Sequence, residues 1–532
     1  MKVATPFRRW KLLKQVVLCS TSAICRQGIA IPNSEGGGIE MKRIILATLI
    51  LMGVTVFAAS TAIAAMMVHP GKTVEERAIN GAKAYIKKHN LKNPKQTMLL
   101  ISLFKNSQPK YLRQWKKLTS VDMGSIQYGY TDIPAKIMAE AVAKTGQYDV
   151  INHFPYVIPD AVGAGTLQPL DAYMAKGKPD FTGIDSGLLA QQSYKGKTYW
   201  FILDGDHIAL FLRSDVMKAA AKEYKAKFGK APGCPDTMAE WEQMAKFFHT
   251  KKGQTRWGMK FDQPLYGAQA YRSINFSYRH FPAYMGGLLF DKNMKPLINT
   301  PNGIRAIKEF TSIVKYMPPD VQGWGTPQLY PHWGSGRAFS FMSFPSAMGY
   351  ANRNPKSKIS GKQLACPVPA VKGASGKMVR RAPQAAGTGY MVNAHSKHPE
   401  LAYYFIQWFT GPTQGDIAIA DPAGFWDPMR MSNLTNKAVL AKHTEPFVKM
   451  TMKNAKNAIS LLMIEGNYEY FNVLDKNMAQ VMQGNISAEQ AAKNVEKGWN
   501  NITDDIGRKE QIAAWRASVA SGAYIDKFAP TN

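Results

Sequence analysis

Apolar residues along this chain fall into short runs bounded by Gly, Pro and charge. Between them lie stretches whose apolar positions recur every three to four residues. Thr73 to His89 reads as an amphipathic helix, and Thr97 to Phe104, short and nearly all apolar, as a buried strand. Tyr111 to Leu118 follows as a helix, Ser125 to Tyr130 as a second strand, and Pro134 to Lys144 as a helix with Ile137, Met138 and Ala141 inward. Tyr148 to Asn152 is a third strand. Strands alternating with helices predict a mainly parallel α/β sheet, whose ligands sit at the carboxyl ends of the strands. Phe104–Ser107 and His153–Tyr156 then share one rim.

Further on, Pro235-Asp236-Thr237 opens a helix over Met238 to Phe248, with Trp241, Met244, Ala245 and Phe248 on its apolar face. Arg256 to Phe261 reads as a strand, Pro301 to Tyr316 as a helix, and the Pro/Gly/Trp-rich residues 318–336 as a loop. Ala338 to Phe344 and the Gly-punctuated Pro383 to Asn393 read as strands, and Pro399 to Phe409 as a helix. From Ala438 the pattern is helical, including Ala488 to Trp499. The 532 residues exceed what one core organises, so two or more lobes are expected.

The stretch from Lys195 to Met217 carries the most information. Two β-rich apolar runs, Tyr199–Leu203 and Ile208–Leu212, are split by Asp204-Gly205-Asp206 and lead into a helix at Ser214-Asp215. A buried carboxylate costs several kcal/mol unless it is paired or hydrogen-bonded, on the order of 2–7 kcal/mol even for a neutral polar group. Glycine lets a strand bend. The stretch reads as a hinge strand passing from one lobe to another, with carboxylates facing the gap.

Met41-Lys42-Arg43, the apolar run Ile44 to Ala59 and the small-residue end Ala62-Ile63-Ala64 make a secretory signal peptide over 41–64, cleaved after Ala64. Residues 1–40 then read as an over-extended start, and the mature protein as periplasmic. The formal charge is +30; residues 1–64 hold eight Lys/Arg and two Asp/Glu, so the remainder keeps 59 against 35, a net +24. The lysines come one or two at a time, which predicts a generally basic, solvated surface and no nucleic-acid partner. Beyond the leader only Cys234 and Cys366 remain. Export permits a bridge between them, and the sequence leaves unpaired thiols equally open.

No G-x-S-x-G elbow or H-E-x-x-H motif occurs. The GKT triplets at Gly71 and Gly196 lack the leading glycine of a phosphate loop, since positions 66 and 191 are Met and Gln. No cofactor or metal is expected. Aromatic residues crowd the expected loops: His153-Phe154-Pro155-Tyr156, Trp324, Trp333, Phe425-Trp426 and Tyr468 to Phe471. Ring faces beside a few fixed polar groups suit a cleft for a sugar-like ligand.

Tyr148-Asp149-Val150-Ile151, Ala164 to Asp171, Gly196 to Asp215, Pro235 to Trp241, Gly336 to Phe341 and Ser396 to Ala402 resemble, in order, segments of the solute-binding proteins of ABC importers. The similarity is to the carbohydrate-binding branch that includes maltose-binding protein. It implies an α/β, two-lobe, periplasmic-binding-protein-like fold of type II, with hinge crossing strands and a helical C-terminal extension. Lobe I would hold 65–205 plus 374–425, and lobe II 206–373 plus 426–532. The implied function is delivery of a sugar, oligosaccharide or polyol to ABC permease subunits by a monomer, without enzymatic turnover. The implied ligand contacts are His153, Tyr156, Asp204, Asp206, Gln263, Tyr266, Phe344, Trp426 and Tyr470. The chain departs from the family pattern in having His at 153 and Phe-Pro at 344–345. Two other readings stand beside this one. The first is an anionic ligand held by Arg272, Arg279 and Arg353. The second is a secreted carbohydrate-active enzyme using two carboxylates ~5–9.5 Å apart.

Overall fold

The computed structural model describes residues 68–271, 281–383, 387–522 and 524–528. The expected leader and the candidate anion ligands Arg272 and Arg279 lie outside the described residues. Among the described residues, eight strands form the two main sheets: β1 (Lys95–Ile101), β2 (Asp122–Tyr128), β3 (Val150–His153), β4 (Trp200–Ile202), β5 (Ala209–Arg213), β6 (Ser340–Ser343), β7 (Gln363–Cys366) and β8 (Gly389–Val392). Sheet one has the order β2-β1-β3-β8-β4 and sheet two the order β6-β5-β7. β1 runs parallel to β2 and β3, while β8 is antiparallel to β3 and β4. Sheet two is antiparallel throughout. The expected parallel sheet is therefore the β1–β3 part of sheet one only. There β1 and β3 are largely buried and β1 reads as a near-continuous apolar run, whereas the edge strand β2 is more polar and only partly covered.

The helices that bear on function are α1 (Val74–Lys88), α2 (Gln108–Thr119), α3 (Ile133–Ala143), α4 (Ser214–Phe228), α5 (Met238–Phe248), α6 (Thr326–Gly334), α7 (Ser346–Arg353), α8 (Pro399–Thr410), α9 (Lys437–His443), α10 (Asn467–Met482), α11 (Ala488–Ile506) and α12 (Arg508–Ala520). Local chemistry sets several of their ends. Thr73 Oγ1 accepts from the Glu76 N–H at 3.1 Å while Glu76 Oε2 accepts from the Thr73 N–H at 3.3 Å, a reciprocal cap that starts α1. Thr237 caps α5 through the Glu240 N–H at 3.1 Å.

Two expectations need correcting. Residues 318–336 are not all loop, because α6 forms there despite Pro331 inside it. Its Leu329, Tyr330 and Trp333 are buried on one face, and that burial outweighs the unfavourable proline. Residues 256–261 make only a two-residue hairpin, Thr255–Arg256 against Met259–Lys260, because Trp257 and Gly258 turn the chain at positive φ.

The fold is a mixed α/β, two-lobe type II architecture, and residues 67–532 form one compact unit. Cys234, just before α5, and Cys366, at the end of β7, are joined by a disulfide across 132 residues of sequence. Closing so long a loop restrains the unfolded chain, an effect of about 3–5 kcal/mol in the chain-entropy account. Replacing both cysteines by alanine is expected to lower the unfolding midpoint by several degrees. Thermal melts of the oxidised wild type and the double variant check this, and coincident melts would show that the bridge adds nothing.

Candidate functional site: the crossing between the sheets

The chain passes from sheet one to sheet two through Asp204-Gly205-Asp206-His207-Ile208, between β4 and β5. The start of the passage is tied to the segment entering β8. The N–H groups of Leu203 and Asp204 both donate to the Thr388 carbonyl, at 3.2 and 3.1 Å, and the Gly387 N–H donates to the Asp204 carbonyl at 3.0 Å. Gly205 then runs against a second return of the chain, donating its N–H to the Asp427 carbonyl at 3.1 Å. A Cβ at position 205 would overlap the Pro428 carbonyl, so glycine is required there by close backbone approach.

Carboxylates dominate the crossing, and all of them are buried. Asp204 Oδ1 accepts from the Asp427 N–H at 2.9 Å, and its Oδ2 accepts from the Thr388 N–H and hydroxyl at 3.3 and 3.2 Å. Asp427 is wholly buried; its Oδ2 accepts from the Ser346 N–H at 3.0 Å, and its side chain is hydrogen-bonded to Asp206. Oxygens of Asp204, Asp206 and Asp427 lie within 4.8 Å of one another.

Burial, followed by the charge of Asp204, pushes the Asp427 carboxyl up to about 8. Burial pushes Asp204 up to about 6. Lys442, in α9, is driven down to about 7, first by burial and then by Arg353. Its ammonium donates to the carbonyls of Ile419 and Trp426 at 2.6 and 3.3 Å. His443 Nδ1 stands 3.9 Å from Asp427 Oδ1, its ring held neutral by burial. The three carboxyls are close enough for a cation. However, both Asp204 oxygens already accept N–H or O–H bonds, and Lys442 and Arg353 supply positive charge. The group fits a shared proton better than a metal.

Several of the expected contacts meet here. His153 ends β3 level with Gly389, itself level with Ile202, which sets it beside the start of the crossing. It is buried, Nε2 lies 2.8 Å from the Tyr130 carbonyl, and burial lowers it to about 4, so it is neutral near pH 7. Tyr156 stacks on Phe154 at 6.0 Å and meets the edges of His153 and Phe471 at 5.2 and 5.7 Å. Trp426, next to Asp427, is fully buried and stacked on Phe104 at 4.9 Å. Phe344, just beyond β6, meets Tyr271 at 5.7 Å.

Others lie apart from the crossing. Gln263 is exposed. Tyr266 is level with Ala338, beyond the β6 end that pairs with Leu212, so it stands at the far end of sheet two from Ala209. Its ring lies between His249 and His332, at 5.9 and 5.8 Å. Tyr470 is buried between α10 and α11, its hydroxyl 2.8 Å from Thr503 Oγ1; the neighbouring Phe471 turns toward Tyr156. Arg353 donates to the Gly424 carbonyl at 3.3 Å.

Sequence reading missed Asp427, Thr388, Lys442, Tyr271 and Tyr330. Tyr330 pairs with Ser346 at 2.7 Å and feels the charges of Asp206 and Asp427. The one available signal was an acid directly after the Phe425-Trp426 pair.

Residues 119–416 match the family profile of the bacterial extracellular solute-binding proteins. The chain belongs to that family. Solved structures of similar fold include an ABC transporter solute-binding protein from Agrobacterium radiobacter K84 in complex with ribitol, 21% identical with TM-score 0.64 over 77% of this chain and 99% of that one. A second, from Agrobacterium vitis S4 with bound D-mannitol, is 18% identical with TM-score 0.64 over 78% and 99%. Maltose-bound MalE3 of T. maritima is 18% identical with TM-score 0.62 over 76% and 99%. No curated protein sequence matches the chain. In this solute-binding protein the segment between the sheets thus carries a buried acid cluster.

Asp204 and Asp427 hold protons more tightly in the folded chain than at the unfolded value of 3.8. Their contribution to stability is therefore full below that value and is lost as pH rises, through about 6 for Asp204 and about 8 for Asp427. Lys442 acts oppositely, adding stability as pH rises from about 7 toward 10.5. Asp427→Asn keeps an acceptor for the Ser346 N–H but removes the titration. It is expected to flatten the decline in stability between about pH 4 and about 8. Denaturant titrations across that range check this; parallel pH profiles for the two proteins would contradict it.

Proposed function

We propose that the protein captures a neutral sugar or polyol between its lobes and delivers it to the membrane subunits of an ABC importer. The observation carrying this reading is the passage of Asp204-Gly205-Asp206 from one sheet to the other. A change of angle between the sheets must bend this segment, so an acid in it meets a ligand only as the lobes close. Asp204 is fully engaged with Thr388 and Asp427 and acts as the brace of the crossing. Asp206 is the acid assigned to ligand hydroxyls. Tyr156 and Phe344 supply apolar walls and His153 a neutral polar group, while Trp426, packed among Phe104, Tyr111 and Phe409, backs the site from the core. The bound ribitol, mannitol and maltose of the structural neighbours support the same ligand class. The lobes are 65–205 plus 374–425 and 206–373 plus 426–532, and the leader 41–64 exports the chain to the periplasm, where it acts as a monomer.

Two features favour transport of a neutral ligand over the other readings. Arg353 is turned to the Gly424 carbonyl and lies in the field of Asp427 and Asp421, which does not suit capture of an anion. The three carboxyls stand within 4.8 Å of one another in one cluster. Glycoside hydrolysis needs a pair on opposite sides of the sugar, about 5–9.5 Å apart.

A thermal-shift panel of sugars and polyols is expected to yield a ligand, since saturation at 100 times the dissociation constant adds about 2.7 kcal/mol. Asp206→Asn is expected to weaken that ligand at least about tenfold, or ~1.4 kcal/mol, by calorimetry. Undiminished affinity would remove Asp206 from the site, and release of new reducing ends from an oligosaccharide would replace transport with catalysis.

A further inference from the structure

Helices α1, α2 and α3 lead into β1, β2 and β3, so their C-terminal ends gather at one edge of sheet one. That edge is opposite the rim where β3 ends beside the crossing. α1 ends on Lys87-Lys88 and α2 carries Lys116-Lys117 in its last turn. Lys92 lies on the segment into β1 and Lys95 is the first residue of that strand, level with Asp122, which pairs with Lys116 at 3.1 Å. Lys144 follows α3. The loop before α8 closes the same edge, its His398 carbonyl accepting from Gln96 Nε2 at 3.2 Å, and it adds Lys397. All eight lysines are exposed.

The sequence scatters these charges, yet the fold collects them. Between Glu76 and Asp122 the chain carries eleven Lys/Arg and no acid. Acids near the edge are already engaged. Glu140 is buried and binds Thr145 and the Gly146 N–H at 2.6 Å, Asp149 is buried against Thr97 and Ser396, and Glu400 pairs with Lys176 at 3.0 Å. Complementing helix dipoles accounts for lysines in the last turns of α1 and α2. It does not account for Lys92 and Lys397, which lie on connecting segments, or for Lys95, the first residue of β1. A second feature sits among them: Val142, in the last turn of α3, is 77% exposed, the most exposed large hydrophobic side chain among the described residues.

We propose that this pole of sheet one is a docking surface for an anionic phospholipid bilayer. Lysines act as point charges toward a diffuse layer of headgroups, whereas paired phosphate recognition favours the fork of arginine, and all eight residues here are lysines. An exposed valine suits shallow contact with the acyl boundary. Single-stranded nucleic acid would use exposed rings for stacking; among the described residues no Phe, Tyr or Trp is exposed at this edge, and the exposed His89 ring already packs on the half-buried Tyr85 at 4.2 Å.

The test uses residues 67–532, which form one compact unit without the apolar leader. Sedimentation with vesicles of phosphatidylglycerol and phosphatidylcholine is compared with phosphatidylcholine alone, at low and at high salt. Binding is expected only to the anionic vesicles and is expected to fall with salt. The quadruple variant Lys87→Glu, Lys88→Glu, Lys117→Glu and Lys397→Glu is expected to lose at least about tenfold in partitioning, at roughly 1 kcal/mol per basic residue near such a surface. A control of equal net charge, with Lys218, Lys222, Lys225 and Lys227 in α4 changed to Glu, is expected to lose less than about twofold. Equal losses in the two variants would reduce the effect to overall charge and overturn the proposal. So would tighter binding to an oligonucleotide at the same salt, or vesicle binding that appears only once the permease is reconstituted. Unchanged thermal midpoints confirm that both variants are folded.

Discussion

A buried carboxylate that bonds two separate returns of the chain holds this molecule's centre together. Asp204 accepts from Thr388, entering β8, and from Asp427, on the way to the C-terminal helices. Its desolvation must be offset by those N–H and O–H donors, and the donors are in place only when all three segments meet. The crossing between the sheets is thereby fixed at one end while Gly205 leaves no side chain to block the approach of Pro428.

The acids that brace the crossing also couple it to protonation. Asp204, Asp206 and Asp427 crowd one another, and Lys442 is drawn down in the same buried space. A charge displaced from any one of them is felt by the rest, because little water screens the site. On the proposed reading, a ligand hydroxyl donating to Asp206 would enter this network instead of meeting an isolated group. Affinity at the crossing and the packing of α9 are then parts of one balance.

Much of this was readable from local pattern. Two apolar runs split by Asp-Gly-Asp predicted a strand passing between halves, and β4 and β5 do lie in different sheets. Thr237 and Thr73 announced their helices through caps formed within three residues. What local pattern could not give was the partner set. Asp427 lies 223 residues from the Asp204 carboxylate it meets, and the Cys234–Cys366 bridge spans 132. α6 was hidden because Pro331 argues against helix locally while burial of Leu329 and Trp333 argues for it globally. At α10 a one-residue phase decides the outcome: Tyr470 packs toward α11, and Phe471 toward Tyr156.

On the proposed function, the sheets turn about the braced crossing to enclose a polyhydroxylated ligand. The most direct measurement places spin labels at positions 117, on α2, and 222, on α4, and follows their separation by pulsed electron resonance. With the ligand selected by thermal screening, a shorter and narrower distance distribution is expected than in its absence. An identical distribution in the saturated protein would contradict this, because the crossing would then be a static brace rather than a pivot.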